Sequence, residues 1–199
     1  MSGTEPNYDE QQIRDQLDGL SAVHRIAFAA ACAEWLYPCY EEFARLTGQG
    51  DPAALRGVID AAWSLAQSDT LPRSDVEHLR TVAESLVPND DDENWSTLSP
   101  LAQNAAASAA YAVRTWLLED PQQAVWAARQ VFEAGDYLVQ IGAPAQSYVA
   151  TSDPDEPVAL AISGIALALA HSGSSSTTNL REEAATGGVR LRRLLGDAT

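Results

Sequence analysis

The chain has 199 residues, a hydrophobic content of 46% and a formal net charge of −16 at neutral pH. This length allows one domain, and the acidity excludes a surface for the phosphate backbone of nucleic acids, which must be basic. Residues 1–10 carry no signal segment, and the most apolar run, 158–170, is shorter than the roughly 20 residues that span a membrane. We therefore expect a cytoplasmic protein that binds neither nucleic acid nor membrane.

Helical periodicity dominates the chain and predicts an all-α fold, a compact bundle of about seven helices. The clearest run is 28–46, in which large apolar residues recur at helical spacing. Ser21 is a candidate N-cap for this central helix, Pro38 predicts a kink inside it, and Gly48 predicts a left-handed C-cap. The apolar positions are Phe28, Cys32, Trp35, Leu36, Cys39, Phe43 and Leu46.

Proline, glycine and capping residues predict where the other helices begin and end. Asp51 followed by Pro52 starts one helix, and the capping-box spacing of Ser74 and Glu77 starts the next. The last helix contains the pair Gly187–Gly188, which predicts an interrupted, marginal element. The expected helices are 9–17, 21–47, 52–67, 74–87, 100–118, 121–141, 158–171 and 180–195.

Composition also predicts how the chain is divided. We expect a flexible tail, one helical domain, a linker rich in serine and threonine, and a C-terminal helix with its tail. These parts are residues 1–8, 9–171, 172–179 and 180–199, respectively.

The two cysteines, Cys32 and Cys39, lie seven residues apart on the predicted central helix. At about 1.5 Å rise per residue their α-carbons would be about 10 Å apart, which is beyond disulfide reach. We interpret them as small buried hydrophobic residues in a reducing compartment.

The run from Cys32 to Asp51, CAEWLYPCYEEFARLTGQGD, resembles the signature of the YjaG-like bacterial family, domain of unknown function 416. Members typically show a Phe, a Cys, a Glu-Arg pair, then Pro-x-Tyr-x-x-Phe and Gly-x-Gly-Asp. The resemblance extends over residues 26–140 and implies an all-helical fold without implying an activity. The matching residues are Phe28, Cys32, Glu34, Pro38, Tyr40, Phe43, Gly48, Gly50, Asp51 and Trp63.

One position departs from that pattern. Trp35 stands where the family usually has Arg beside the Glu. If that Glu-Arg pair forms a charged site in the family, this chain lacks the site.

Metal or catalytic chemistry has little support in the sequence. The acidic residues of 89–94 could hold Ca²⁺ or Mg²⁺, with Asp90, Asp91 and Asp92 as weak candidates, but the Gly and Glu of a calcium-binding loop are missing. The three histidines are far apart, and no serine occurs in a nucleophile motif. The sequence predicts no cofactor and no catalytic residue, and it favours a non-enzymatic role without deciding the question.

Two groups of polar or aromatic residues remain as candidate sites. One group lies on the face of the central helix opposite its apolar face and consists of Glu34, Tyr37, Glu41 and Arg45. It forms either a solvated face with a Glu41–Arg45 ion pair or a small polar pocket at the Pro38 kink.

The other group lies on the helix that follows Pro121. Trp126, Gln130, Glu133 and Tyr137 recur at helical spacing on one side of it. Trp and Tyr among polar residues are typical interface anchors, although packing against the C-terminal helices would also explain them.

These observations leave functions of different classes open. The first is a non-catalytic interaction module, immunity-like or an inhibitor or adaptor, for a basic protein partner. The alternatives are an enzyme or divalent-metal protein that uses the helix and loop carboxylates, and a homo-oligomeric structural protein.

Overall fold

The structure, a computed structural model, describes residues 8–89, 91, 93–142, 157–173 and 176–196. This part of the chain forms eight helices, so the predicted all-α fold is confirmed. The helices are α1 (Glu10–Asp18), α2 (Ala22–Thr47), α3 (Pro52–Ala66), α4 (Arg73–Ser85), α5 (Ser99–Leu118), α6 (Pro121–Gly142), α7 (Pro157–Ser172) and α8 (Thr177–Gly196).

Helix α2 is the centre of the molecule. The other helices α3, α5, α6, α7 and α8 all pack against it, while α1 lies outside against α6, and α4 lies outside against α5. Every residue from Ile26 to Leu36 is buried, on all sides of the helix. Four alanines, at 29–31 and 33, allow the surrounding helices to approach closely, because a small side chain keeps the helix axes near one another.

The C-terminal end of α2 emerges from this enclosure. Leu46, predicted to lie on the apolar face, is 52% exposed, because the helices that surround α2 do not cover its last turn. Gly48 ends the helix in the left-handed conformation, with φ of 71°, as predicted. Pro38 lies within α2 at the position where the sequence predicts a kink.

The residues that carry the family resemblance form the connection from α2 to α3. The Tyr40 hydroxyl donates to the Leu86 carbonyl oxygen at 3.2 Å and accepts from the Asp51 backbone N–H at 3.4 Å. Gly50 passes against the Tyr40 ring with φ of 76°, and a Cβ there would lie 2.7 Å from the Tyr40 hydroxyl oxygen. The Asp51 side chain caps α3 by accepting from the Ala54 N–H at 2.9 Å. The motif therefore has a structural explanation, because Tyr40 holds the turn between α2 and α3 in place and that turn requires glycine at position 50.

The N-terminal ends of α4 and α8 differ from the sequence prediction in capping or position, while the other boundaries lie within two residues of it. Helix α4 begins at Arg73 after Pro72, and Ser74 bonds the neighbouring Asp75 rather than capping the helix. Helix α8 begins at Thr177, inside the predicted linker, and continues through Gly187–Gly188 without interruption. Of the predicted N-terminal tail, Tyr8 is described, and it stacks on Phe132 at 4.5 Å.

Gly188 is where α8 crosses α2. A Cβ at this position would collide with the backbone carbonyl oxygen of Trp35 and lie 3.1 Å from Pro38 Cδ. Helix propensity disfavours glycine locally, but close approach of two backbones requires it here. Tertiary packing therefore explains why the glycine pair does not break the helix.

We expect Gly188→Ala to lower the free energy of unfolding by about 2 kcal/mol or more, because the added methyl meets a rigid backbone. Gly57→Ala in α3 is the matched control, since a Cβ there meets no atom within 4 Å. That control should raise stability by up to about 1 kcal/mol through helix propensity. Urea unfolding followed by circular dichroism measures both, and equal effects would contradict the proposed crossing.

Candidate functional site

The most densely bonded polar group of the described residues surrounds Glu34 of α2. Its carboxylate is 7% exposed and accepts from Arg56 Nη1 and Nη2, both at 2.7 Å. It also accepts from Trp63 Nε1 at 2.9 Å, and Arg181 Nε lies 3.3 Å away. These donors come from α3 and α8, so one carboxylate joins three helices.

Asp60 completes this Glu34 network, which consists of Glu34, Arg56, Asp60, Trp63 and Arg181. Asp60 accepts from Arg56 Nε at 3.0 Å and also pairs with Arg181. Burial would lower the pKa of Arg56, but the hydrogen bonds and charge of Glu34 outweigh it and raise that pKa above its ordinary value. Because donors occupy the Glu34 carboxylate, it could act as a base or metal ligand only if this network opened.

Among the residues that the sequence predicts for a polar pocket on α2, Tyr37 is the one that contacts the Glu34 network. The Arg56 guanidinium lies over the Tyr37 ring at 4.6 Å, and the Tyr37 hydroxyl donates to the Pro52 carbonyl oxygen at 3.2 Å. Burial, with a contribution from the charge of Glu41, raises the pKa of Tyr37 to about 12. The phenol is therefore neutral at physiological pH and acts as a donor.

Glu41 and Arg45 lie outside this network on the exposed end of α2. The predicted ion pair between them is wrong. Arg45 bonds Glu42 instead, at 2.6 Å and 3.0 Å, because its guanidinium reaches back three residues in a two-point contact. Of the four residues, Glu34 is thus buried, Tyr37 is half-buried beside it, and Glu41 and Arg45 are exposed.

The four predicted interaction residues on α6 are all half-buried. The rings of Trp126 and Tyr111 lie 5.5 Å apart at an angle of 50°, and Arg114 stands over Tyr111. Eleven residues further along α6, the Tyr137 hydroxyl donates to the Thr97 carbonyl oxygen at 2.8 Å. Both anchors are therefore held in fixed positions by the neighbouring helix and its N-terminal loop.

Between those anchors lie the two polar residues of the set. Gln130 donates to Glu133 at 3.4 Å, and Glu133 also accepts from Arg129 Nε at 2.7 Å. Arg129 in turn lies 3.6 Å from Glu10 of α1. The structure brings the four predicted residues together on one side of α6, along with Tyr111 of α5, for which the sequence contains no such signal.

The acidic run is only partly described. Asp90 and Asp92 lie outside the described residues, while Asp91 is exposed and its backbone N–H donates to the Asn89 side chain at 3.2 Å. In the part of the chain that the structure describes, no three His, Cys, Asp or Glu side chains converge as a metal site. No helix there is long and apolar enough to cross a membrane.

Sequence reasoning missed the partners of Glu34. Arg56, Asp60 and Trp63 recur at intervals of four and three, so a polar stripe on α3 was a visible signal. Arg181 gave no such signal, because it reaches Glu34 from 147 positions along the chain.

Fold and contacts together define a class, an all-helical protein in which one buried helix is surrounded by the others. The chain matches the family model described as "Protein of unknown function (DUF416)" over residues 12–167, and it belongs to that family. The family resemblance inferred from the Cys32–Asp51 run is thereby confirmed.

A solved structure agrees with this assignment. The chain is similar to the crystal structure of a DUF416 family protein from Shewanella baltica OS155, with 16% sequence identity and a TM-score of 0.60. The similarity covers 92% of this chain and 93% of that one, and at this identity it shows the fold. No curated protein matches the chain.

We expect Glu34→Gln to lower the free energy of unfolding by about 3 kcal/mol, because it leaves two arginines facing a neutral amide. Glu84→Gln is the control, since Glu84 pairs with Arg80 at 3.2 Å on the surface of α4. Such an exposed pair should contribute less than about 0.5 kcal/mol. Urea unfolding compares the two, and a loss for Glu34→Gln as small as the control's would show that the network is not structural.

Both cysteine thiols should be inert in the folded protein. Burial raises the pKa of Cys39 to about 12 and raises that of Cys32 as well, so neither forms the reactive thiolate. At pH 8 a chromogenic disulfide reagent should detect no thiol until guanidinium unfolds the chain, and then two. Rapid reaction of the native protein would contradict the burial of these side chains.

Proposed function

We propose that this protein is a non-catalytic interaction module, an immunity-like inhibitor or an adaptor, whose partner is a basic protein. The observation that carries the proposal is the aromatic face, defined as Tyr111, Trp126, Gln130, Glu133 and Tyr137, on a chain with a net charge of −16. Half-buried Trp and Tyr beside polar groups are the residues that most often dominate binding energy at interfaces.

The contacts of the aromatic face favour binding because they hold the anchors in advance. Tyr111 packs on Trp126, and Thr97 holds the Tyr137 hydroxyl. A partner therefore would not have to order these side chains, which reduces the entropy cost of association. Trp126 and Tyr137 lie about 16 Å apart along α6, a span that fits within one interface patch.

Charge supplies the second argument. An excess of carboxylates accelerates encounter with a basic partner and weakens encounter with acidic ones, and both effects diminish as salt screens them. Glu133 lies inside the aromatic face but pairs with Arg129, so the attraction for a basic partner comes from the overall charge of the chain. Salt dependence is consequently the property that separates this proposal from purely apolar association.

The experiment is capture of partners from the source organism's lysate on the immobilised chain at low salt, repeated with Trp126→Ala. We expect a basic protein in stoichiometric amount, released by salt, and a loss in affinity of about 2 kcal/mol, roughly 30-fold, for Trp126→Ala. Leu46→Ala is the control, since Leu46 is 52% exposed at the far end of α2.

Other outcomes would contradict the proposal in distinct ways. A salt-insensitive partner, or one retained equally by Trp126→Ala, would remove the aromatic face from the interface. Recovery of the chain's own copies alone would favour the homo-oligomeric alternative. A rise in melting temperature with millimolar divalent metal would favour the carboxylate-based enzyme or metal protein.

A further inference from the structure

An open groove of about 530 Å³ runs between α7 and α8. Its floor is Trp35 of α2, its walls include Leu160 and Leu167 of α7, and its rim includes Glu182 and Glu183 of α8. This volume lies within the range of about 300–1,000 Å³ that is usual for ligand sites. None of these residues belongs to the aromatic face, so the groove and the proposed function can be tested separately.

Trp35 reaches the groove because two glycines face it. A Cβ on Gly164 of α7 would lie 2.6 Å from Trp35 Cζ2, and a Cβ on Gly187 of α8 would collide with Trp35 Nε1. The side chain is 5% exposed, and its indole N–H donates to no group among the described residues. A largely buried donor without a protein partner is a position where a ligand oxygen can accept a hydrogen bond.

The α7 wall is apolar and uncharged. No Asp, Glu, Arg or Lys occurs in Pro157–Ser172, and Leu167 is 44% exposed beside the groove. Leu160, two helical turns earlier on the same side, is buried. An apolar side chain of a ligand that entered here would contact both leucines and the Trp35 ring.

The α8 rim is acidic at one end and basic at the other. Glu182 makes no ion pair with the described residues, and Glu183 lies 2.7 Å from His171 Nδ1. Arg190 also lines the groove and lies eight residues after Glu182 in α8, about 12 Å along the helix at 1.5 Å per residue. The rim therefore offers, at the Glu182 end, a carboxylate that has no ion-pair partner within the described part of the chain and that could receive a cationic group.

We propose that this groove binds a short peptide segment in which an apolar residue lies next to an arginine or lysine. The segment's backbone carbonyl accepts from the Trp35 indole N–H, its apolar side chain packs against Leu160 and Leu167, and its cation pairs with Glu182. A peptide is the ligand class that combines these three features within a few atoms of one another. At the Glu182 end of the groove, charge complementarity selects basic over acidic segments.

The test is a titration of the ¹⁵N-labelled full chain with acetyl-Leu-Arg-Leu-amide, in which the NMR signals of the indole N–H groups are monitored. The chain has five tryptophans, and the signal that disappears in Trp35→Phe identifies Trp35. Two matched probes accompany it, acetyl-Leu-Gln-Leu-amide without the charge and acetyl-Gly-Arg-Gly-amide without the apolar side chains. n-Hexylamine tests whether a free amine is sufficient.

We expect a saturable shift of the Trp35 signal with a dissociation constant of about 1 mM, as is usual for so small a ligand. Glu182→Gln should weaken binding of the arginine peptide about two- to fivefold, the effect of an exposed ion pair. It should not change binding of the glutamine peptide. Glu77→Gln, a surface change on α4, is the control and should leave both affinities unchanged.

Several results would overturn the proposal. These are the absence of a saturable Trp35 shift up to about 10 mM peptide, or equal binding of the arginine peptide to the wild type and to Glu182→Gln. Hexylamine binding as tight as that of the peptide would make this a site for small amines instead. Shifts of α7 signals that depend on protein concentration alone would assign the groove to a second copy of the chain.

Discussion

The enclosure of α2 by five helices is the constraint on which the rest of the structure depends. A helix buried on one side can place polar residues on the other, but α2 from Ile26 to Leu36 has no solvent side. Alanine is therefore its commonest residue, and large side chains occupy most of the other positions, which satisfies both close approach and filling of the core. Each surrounding helix must then match a particular part of α2. Gly188 meets the Trp35 carbonyl in this way, and Tyr40 holds the turn into α3.

Glu34 is the exception to that apolar interior, and its position explains how α3 and α8 are connected. Helices α3 and α8 are joined mainly through side chains, and Glu34 faces the region between them. Arg56 from one helix and Arg181 from the other meet on this carboxylate, which an apolar residue could not achieve. A buried ion pair often adds little net stability compared with apolar packing, but it penalises any arrangement that leaves one charge unpaired. We infer that the Glu34 network specifies where α8 docks more than it adds to stability.

The sequence predicted the fold well wherever the signal was local. Ser21, Asp51 and Gly48 occupy the caps that were expected of them, because a cap depends on residues within one turn. Two local predictions were nevertheless wrong, the Ser74 capping box and the Glu41–Arg45 ion pair, because a partner within three residues competed in each case. The other wrong predictions depended on distant contacts. The interruption of α8 at Gly187–Gly188 was inferred from propensity, which contains no information about the α2 backbone that these glycines meet. The aromatic side of α6 was predictable as a helical stripe. The contact of Arg181 with Glu34 was not, because no sequence pattern around Arg181 indicates it.

The same enclosure separates the residues that identify the family from those available for binding. Phe28, Cys32 and Phe43 of the family motif are buried, and Gly50 and Asp51 form the turn and cap that follow. These positions specify the fold, and a partner could not reach most of them. Binding must therefore use the outer sides of the surrounding helices or a border between two of them where α2 becomes accessible. Trp35 is at such a border, because the glycines of α7 and α8 leave room for its indole ring at the floor of the groove. Trp35 is thus the residue of the central helix on which our proposal of a ligand groove depends.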